Sequence, residues 1–247
     1  MTTHTGYLLI ADITGYTQFL TSSEQDHANP ILQSLLSTLV EQVGEPMHFC
    51  KMDGDAVMAY STQQEFPYGE TFLTICENLY NAFSTRRQNI IANTTCPCQA
   101  CANVAKLDLK IMAHHGKFDE MQVGPVKDIS GADVILVHRM AKSDVRESTG
   151  VRSYALFSDA AVEAMGIKAA LVPFSQSFEH FGEVSLRPGQ SLGEVSRRAR
   201  TPFPGGRGRR LDLPPSFRPS HRGHLGGVDG AGTETTLDAG HAVGDCQ

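Results

Sequence analysis

The segment Tyr7–Leu20 constrains the fold most, because it joins an apolar strand, an acid and a helix start in one short stretch. The apolar run from Tyr7 to Ala11 predicts a fully buried strand. That strand ends at Asp12, Thr14-Gly15 turns the chain, and a helical pattern follows. An acid at a strand end can bind a cation, and free N–H groups at a helix start face phosphate oxygens. The segment predicts a site for a metal-bound phosphate, although helix capping by Asp12 is the simpler explanation when the segment is considered alone.

A second segment, Phe49–Tyr60, predicts a β-hairpin. Asp53-Gly54 is a typical two-residue hairpin turn, and residues 47–52 and 56–60 are its expected strands. Asp55 would then follow a tight turn. If this hairpin pairs beside the first strand, the two acids, Asp12 and Asp55, can share one cation or two. Considered alone, an ordinary Asp-Gly turn is again the simpler explanation.

Composition limits the class of protein. A chain of 247 residues forms one large or two small domains, and its net charge of −6 argues against a nucleic-acid-binding face. The N-terminus has no basic region followed by a hydrophobic segment, and no apolar run approaches about 18 residues, so neither a signal peptide nor a membrane span is predicted. The six cysteines favour a reducing cytoplasm over a disulfide scaffold.

The order of predicted elements indicates the fold class. An apolar stripe from Ile31 to Val43 predicts a helix that Pro30 opens, and residues 67–93 predict a second long helix. With the hairpin between these helices and a strand at Leu107–Ala113 after them, the order matches the ferredoxin-like β-α-β-β-α-β core of an α+β fold. Additional C-terminal elements are expected: a helix at 131–141, a strand at 154–157, a helix capped by Ser158, and a terminal strand within 174–185.

Residues 187–247 differ in composition from the rest of the chain. They hold half of the glycines and prolines, several arginines and no lysine. Such a segment cannot bury enough apolar surface to offset the entropy lost on ordering. Residues 1–186 are therefore predicted as the folded domain and 187–247 as a disordered tail. A shifted reading frame in GC-rich DNA, or a basic tail that contacts acidic partners, would each explain this composition.

A Cys-rich insert at residues 94–105 separates the second long helix from the next strand. Its thiols, on Cys96, Cys98 and Cys101, are close enough in sequence to bind one soft cation, such as a structural Zn²⁺. A closed site needs a fourth ligand, and the candidates are Cys50, Cys76, His114 and His115. A loop of reduced cysteines and a redox role are the alternatives.

Four sequence blocks, in the same order, resemble the motifs of class III nucleotidyl cyclase catalytic domains. Ala11–Thr17 (Ala-Asp-Ile-Thr-Gly-Tyr-Thr) is similar to the first metal motif, and Lys51–Asp55 (Lys-x-x-Gly-Asp) to the second. Leu109–Gly116 is similar to the strand that ends in His-Gly, and Asp128–Met140 (Asp-x-x-Gly…Arg-Met) to the family's following helix. The His-His-Gly sequence and the cysteine insert also resemble an uncharacterised, cyclase-related bacterial family.

The resemblance implies a homodimer that converts ATP to 3′,5′-cyclic AMP and pyrophosphate with two divalent cations, Mg²⁺ or Mn²⁺. Asp12 and Asp55 match the metal ligands of the family. The backbone that would contact phosphate oxygens belongs to Ile13, Thr14, Gly15 and Tyr16.

The resemblance also assigns the remaining site residues. Lys51 and Asp128 match the pair that favours ATP over GTP, and Arg139 matches the arginine that stabilises the transition state. In the family, one subunit supplies the metal acids and its partner supplies the purine and arginine contacts.

Two departures from the family leave the activity open. Ile135 replaces the asparagine that orients the ribose, and no lysine after Lys168 matches the one that contacts the triphosphate. The protein is therefore expected to be an adenylate cyclase, or else a catalytically impaired, cyclase-derived signalling module that binds a nucleotide or a metal.

Overall fold

The structure is a computed structural model that describes residues 2–66, 68–143, 145, 152–167 and 174–189. These residues all belong to the first of the two units into which the chain divides, Met1–Thr201 and Pro202–Gln247. The predicted disordered tail lies outside the described residues from position 190 onwards.

The described residues form strands, α-helices and two short 3₁₀ helices. The strands are β1 (Thr2–Thr14), β2 (His48–Asp53), β3 (Ala56–Thr62), β4 (Asp108–Val123), β5 (Val126–Ser130), β6 (Tyr154–Ser158), β7 (Phe174–Phe178) and β8 (Gly182–Gly189). The α-helices are α1 (Tyr16–Thr21), α2 (Gln25–Gln42), α3 (Gly69–Asn93), α4 (Gln99–Asn103), α5 (Ala132–Met140) and α6 (Asp159–Met165). The 3₁₀ helices are Gln63–Glu65 and Val104–Lys106.

One sheet organises the fold, with the strand order β2-β3-β1-β4-β6-β8-β7 and β5 paired to the outer part of β4. Every pairing is antiparallel except that of β4 with β6. The first four strands and the helices α2 and α3 follow the β-α-β-β-α-β order, and the later elements extend the sheet. The predicted α+β, ferredoxin-like fold with additional C-terminal elements is therefore confirmed.

The apolar run in β1 is buried because both faces of this central strand are covered. Leu8 and Ile10 pack in a cluster that includes Val137 of α5. On β1, Tyr7 stacks on Phe72 of α3, with ring centroids 4.2 Å apart. Alternate side chains of a strand point to opposite faces, so a strand covered on both sides is apolar throughout. None of the described helices is long and apolar enough to cross a membrane.

Several element boundaries differ from the sequence prediction. Helix α2 begins at Gln25, ahead of Pro30, because contacts of Glu24 and His27 with the Cys-rich insert anchor its first turn. Strand β4 continues past Ala113 to Val123, because β1 and then β5 pair with it. The stretch 174–185 is a hairpin rather than one strand, and β8 continues to Gly189, past the predicted domain end at 186.

A buried polar group joins the core to the C-terminal elements. The ring nitrogen Nδ1 of His114 lies 2.7 Å from Ser158 Oγ, and Ser158 also caps α6 by accepting a hydrogen bond from the Ala161 N–H at 3.1 Å. On its other side, His114 Nε2 lies 3.2 Å from Asp133 Oδ1, outside good hydrogen-bond geometry. Burial lowers the pKa of His114, which favours the neutral ring. The capping role predicted for Ser158 is confirmed.

We expect Ser158→Ala to lower the free energy of unfolding by about 1–3 kcal/mol, because it removes a helix cap and a buried hydrogen-bond partner together. Urea denaturation followed by circular dichroism measures this change. Ser175→Ala on β7, where the serine is exposed, is the matched control and should be neutral within about 0.5 kcal/mol. Equal stabilities of the two variants would contradict a structural role for the Ser158 hydroxyl.

Candidate functional site

A cleft of about 520 Å³ opens where β1 passes into α1. Its lining includes all the residues predicted to bind the nucleotide-site cations or the phosphates: Asp12, Ile13, Thr14, Gly15, Tyr16 and Asp55. The structure thus brings together two segments that are separated in sequence by α1 and α2. Lys110 and Tyr154 also line the cleft, and neither was predicted.

Strand pairing explains why the two acids meet. Antiparallel pairing of β1 with β3 sets Asp12 opposite Ala56, and the Ile13 N–H donates to the Asp55 carbonyl at 3.2 Å. The hairpin turn is Gly54-Asp55 rather than the predicted Asp53-Gly54, because Asp53 still pairs with Ala56. Asp55 therefore lies within the turn itself.

The electrostatics of the cleft are unfavourable for two negative charges. Burial, and then the charge of Asp12, raise the pKa of Asp55 above its ordinary value. Burial also raises the pKa of Asp12, an effect that the neighbouring Lys110 partly offsets. A pair of partly buried carboxylates of this kind is suited to a divalent cation, which would compensate both charges.

Lys110 contacts the acidic pair directly. Its Nζ lies 3.3 Å from Asp12 Oδ2 and donates to the carbonyl of Ala141 at 3.0 Å. The register of β1 with β4 sets Lys110 opposite Asp12, which explains the contact. The available signal was a single lysine within the strand that the sequence predicts at Leu107–Ala113, in which Asp108 is the only other polar residue.

Two features of the turn after β1 shape the cleft. Gly15 has a φ of 89°, and a Cβ at this position would lie only 3.2 Å from the carbonyl oxygen of Lys106. Only glycine adopts this conformation without strain. Thr14 Oγ1 is buried and has no hydrogen-bond partner within the described part of the chain.

The two residues predicted to contact the purine form an ion pair elsewhere. Lys51 Nζ donates to both carboxylate oxygens of Asp128, at 2.9 and 2.8 Å, and the Cys50 thiol lies 3.4 Å from the same carboxylate. Burial alone would raise the pKa of Asp128, but the hydrogen bonds from Lys51 and the Ile129 N–H hold it below its ordinary value. Neither residue is among the described residues that line the cleft.

The predicted catalytic arginine also lies outside the cleft. Arg139 is near the end of α5, with 41% of its side chain exposed, and its closest acidic partner among the described residues is Glu179 at 4.0 Å. Ile135, one turn earlier, is 53% exposed. Within one chain, the predicted site residues therefore form two groups. The two acids and the Ile13–Tyr16 turn line the cleft, whereas Lys51, Asp128 and Arg139 lie away from it.

A family model and a protein of Mycobacterium tuberculosis are similar to this chain in sequence. A family model described as "Protein of unknown function (DUF2652)" matches residues 32–149. The uncharacterized protein Rv2561/Rv2562 of Mycobacterium tuberculosis (strain ATCC 25618 / H37Rv) is 29% identical over 159 residues, which are 62% of this chain and 70% of that protein.

Solved structures of cyclases are similar to this chain over most of its length. The guanylyl cyclase Cya2 superposes with a TM-score of 0.59 at 14% identity, covering 76% of this chain and 92% of that one. A bacterial light-regulated adenylyl cyclase superposes with a TM-score of 0.59 at 10% identity, covering 81% of this chain and 56% of that one. The adenylyl cyclase CyaB from P. aeruginosa superposes with a TM-score of 0.53 at 18% identity, covering 76% of this chain and 95% of that one. The fold resembles that of class III nucleotidyl cyclase catalytic domains. At these identities the similarity extends to the fold alone.

The Cys-rich insert meets α2 on another part of the molecule. Ligand atoms of His27, Cys96, Cys98 and Cys101 all lie within 4.8 Å of one another, so this group could hold a metal such as zinc. None of the predicted candidates for the fourth ligand belongs to this group. Cys50 contacts Asp128, Cys76 is buried in α3, and His114 contacts Ser158. His115 packs edge-on against Tyr7.

Proposed function

We propose that the protein is a class III adenylate cyclase, which converts ATP to 3′,5′-cyclic AMP and pyrophosphate in a symmetric homodimer. The observation that carries this proposal is the convergence of Asp12 and Asp55 on one cleft beside the Ile13–Tyr16 turn. The similarity of the fold to cyclase catalytic domains supports nucleotide binding as the general function of the cleft.

Asp12 and Asp55 would hold two divalent cations, which neutralise the triphosphate and promote loss of the 3′-hydroxyl proton when bound. The raised pKa of each acid fits this role, since a cation removes the electrostatic cost of two neighbouring carboxylates. The turn residues from Ile13 to Tyr16, which line the cleft, would contact phosphate oxygens.

In the reaction, the ribose 3′-oxygen forms a bond to the α-phosphorus while the bond from that phosphorus to the bridging oxygen breaks. Pyrophosphate leaves with the bonding electron pair, and the proton of the 3′-hydroxyl group passes to solvent water. Arg139 of the partner would stabilise the charge that develops on the α-phosphoryl oxygens.

A homodimer would bring the two groups of site residues together. His138, next to Arg139, has a pKa that burial and the nearby charge of Lys51 lower, so the end of α5 lies close to the Lys51–Asp128 pair. Large apolar side chains are exposed in this region: Phe49 and Met52 on β2, at 44% and 46%, and Ile135 on α5. An exposed apolar surface around polar site residues supports contact with a second subunit.

The purine preference rests on Lys51 and Asp128. The Lys51 ammonium can donate to adenine N1, and the Asp128 carboxylate can accept from the adenine amino group. Guanine presents an N–H donor at N1 and a carbonyl at C6, so it offers the opposite pattern to both side chains. The pair therefore favours ATP over GTP.

We expect Lys51→Glu to weaken binding of Mn²⁺-ATP by about 10–100-fold, because a charge-assisted hydrogen bond is lost and two acids then face each other. The ratio of ATP affinity to GTP affinity should fall as well. Isothermal titration calorimetry with both nucleotides measures these changes. Lys127→Glu, an exposed residue beside Asp128 with the same charge change, is the control and should keep the preference. Equal ATP and GTP affinities in the unmodified protein would refute the purine assignment.

One observation favours a second candidate function. Ile135 is exposed on α5 at the position where the resemblance implies a ribose-orienting asparagine, and its side chain cannot form a hydrogen bond. A site without that contact would bind the nucleotide and position it poorly. The second candidate is thus a cyclase-derived module that binds nucleotide and signals through its dimeric state.

Incubation of the purified protein with ATP or GTP, and with Mn²⁺ or Mg²⁺, tests these candidates. Chromatography should detect cyclic AMP that increases linearly with time and enzyme concentration, with less product from GTP. Tight nucleotide binding without turnover would support the second candidate. If neither ATP nor GTP binds, both candidate functions are excluded.

A further inference from the structure

The cysteine insert and the start of α2 form a compact set of metal-binding side chains. His27 Nδ1 lies 3.2 Å from Cys98 Sγ and 3.4 Å from Cys101 Sγ. The backbone N–H of Cys101 points to Cys98 Sγ at 3.5 Å, the kind of hydrogen bond that stabilises a ligating thiolate. Cys96 completes the set, and all four side chains are partly buried.

The dimensions of the cluster suit one tetrahedral ion. Zinc bonds of about 2.3 Å to sulfur and about 2.0 Å to nitrogen imply ligand-to-ligand distances of about 3.5–3.8 Å in a tetrahedron. The nitrogen–sulfur distances of 3.2 and 3.4 Å are close to that range, and all four ligand atoms lie within 4.8 Å of one another. Three thiolates and one imidazole are also a common ligand set of closed zinc sites.

A second contact links the same two segments. The carboxylate of Glu24, at the start of α2, accepts hydrogen bonds from the N–H groups of Gln99 and Ala100 at 3.2 and 3.0 Å. These amides belong to the first turn of α4, immediately after Cys98. The start of α2 thus holds α4 through a carboxylate as well as through His27.

The segment that follows α4 supports the turn of the cleft. The 3₁₀ helix Val104–Lys106 leads from α4 into β4, and the carbonyl of Lys106 faces Gly15 at a distance that leaves little room for a side chain. A small cavity between α1 and this segment is lined by Gly15, Phe19 and Asn103 among others. Displacement of α4 would therefore reach the Gly15 turn.

We propose that His27, Cys96, Cys98 and Cys101 bind one structural Zn²⁺ that fastens α2 to α4. Through Val104–Lys106, the ion holds the Gly15 turn in its conformation. The binding of zinc stands independently of the cyclase activity. Its effect on nucleotide affinity rests on the proposed function.

Metal content is the first test. Protein purified under reducing conditions, without added metal, should contain about one zinc per chain by plasma mass spectrometry, since closed sites bind zinc tightly. Removal of the zinc with a chelator should lower the Tm by about 5 °C or more, and added Zn²⁺ should restore it. Protein that contains no zinc, or iron in its place, would overturn the proposal, as would a disulfide among the three cysteines after purification under these conditions.

Variants test the ligand set. His27→Ala should weaken zinc binding by more than about 100-fold, because loss of an outer-shell partner alone costs about 10–100-fold. Cobalt substitution should give a tetrahedral spectrum with sulfur-to-cobalt charge transfer, which His27→Ala should alter. Cys50→Ser, a half-buried cysteine outside the cluster, should retain zinc and this spectrum. Unchanged zinc affinity in His27→Ala would overturn the assignment of the fourth ligand.

The proposed effect of zinc on the Gly15 turn is tested separately, by measuring nucleotide affinity. Zinc removal should weaken Mn²⁺-ATP binding at a temperature well below the lowered Tm, while Glu24→Gln should do so to a smaller extent and leave the zinc content unchanged. If zinc is present but its removal leaves ATP affinity unchanged, the coupling to the Gly15 turn is wrong. If no nucleotide binds with zinc in place, the proposed function fails and the zinc site stands.

Discussion

Asp55→Asn is expected to reduce cyclic AMP formation by about a thousandfold or more, because loss of a metal ligand removes several kcal/mol of transition-state stabilisation. The same substitution should abolish the rise in Tm that Mn²⁺-ATP produces in the unmodified protein, since only the native state binds the ligand. Both effects follow from the position of Asp55 in the cleft beside Asp12.

In the absence of added metal, Asp55→Asn should increase the free energy of unfolding at neutral pH. Burial and Asp12 raise the pKa of Asp55, so the folded state binds a proton more readily than the unfolded chain. The free energy of unfolding therefore decreases as the pH rises from the ordinary carboxyl pKa through the raised one. The Asp55→Asn protein has no carboxyl group at this position, so its free energy of unfolding does not decrease for this reason. Its stability should exceed that of the unmodified protein at neutral pH, and the two should converge as the pH falls.

Asp12→Asn should eliminate activity equally, with a smaller gain in stability. The reason is Lys110, whose Nζ lies 3.3 Å from Asp12 Oδ2 and would lose its ionic partner. Asp53→Asn, an exposed residue of the same hairpin, is the matched control for charge and should keep both activity and the Mn²⁺-ATP shift. Thermal shift and product assays distinguish a metal-binding role of these acids from a purely structural one. If Asp55 only shapes the turn, its substitution costs stability and leaves nucleotide binding unaltered.

Local patterns explain why the acidic pair could be predicted from the sequence. Asp12 directly follows the apolar run of β1, and Asp55 belongs to an Asp-Gly hairpin, so each lies in a short segment with its own signal. Pairing of β1 with β3 then follows from the ferredoxin-like order and brings the two together. The length of β4 was underestimated because its outer half is mostly polar and has no regular alternation of apolar residues, so only pairing with β1 and β5 defines it.

The fourth ligand of the cysteine cluster could not be predicted in the same way. His27 lies in α2, far from Cys96 in sequence, and a single histidine in a helix has no spacing that indicates a metal. Its helical turn also precedes Pro30, which the sequence predicts as the first helical residue. Tertiary contacts of Glu24 and His27 with the insert override that local signal.

Two inactive variants are expected to form an active enzyme when they share one dimer. The acids of the cleft lie apart from Arg139, which is on α5 and outside the cleft lining among the described residues. If each site combines the acids of one subunit with Arg139 of the other, Asp55→Asn and Arg139→Ala homodimers have two defective sites each. In the heterodimer, both defects fall in one site, and the other site is intact.

Co-expression of the two variants with different affinity tags, followed by purification on both, isolates this heterodimer. Its activity should be about half that of the unmodified dimer, because one of the two symmetry-related sites is complete. A heterodimer of Asp12→Asn with Asp55→Asn is the control. Both substitutions affect the same half of the site, so neither of its sites is complete and it should remain inactive. An Asp55→Asn/Arg139→Ala heterodimer as inactive as the control would mean that Arg139 does not act across the dimer, and the site would have to form within one chain.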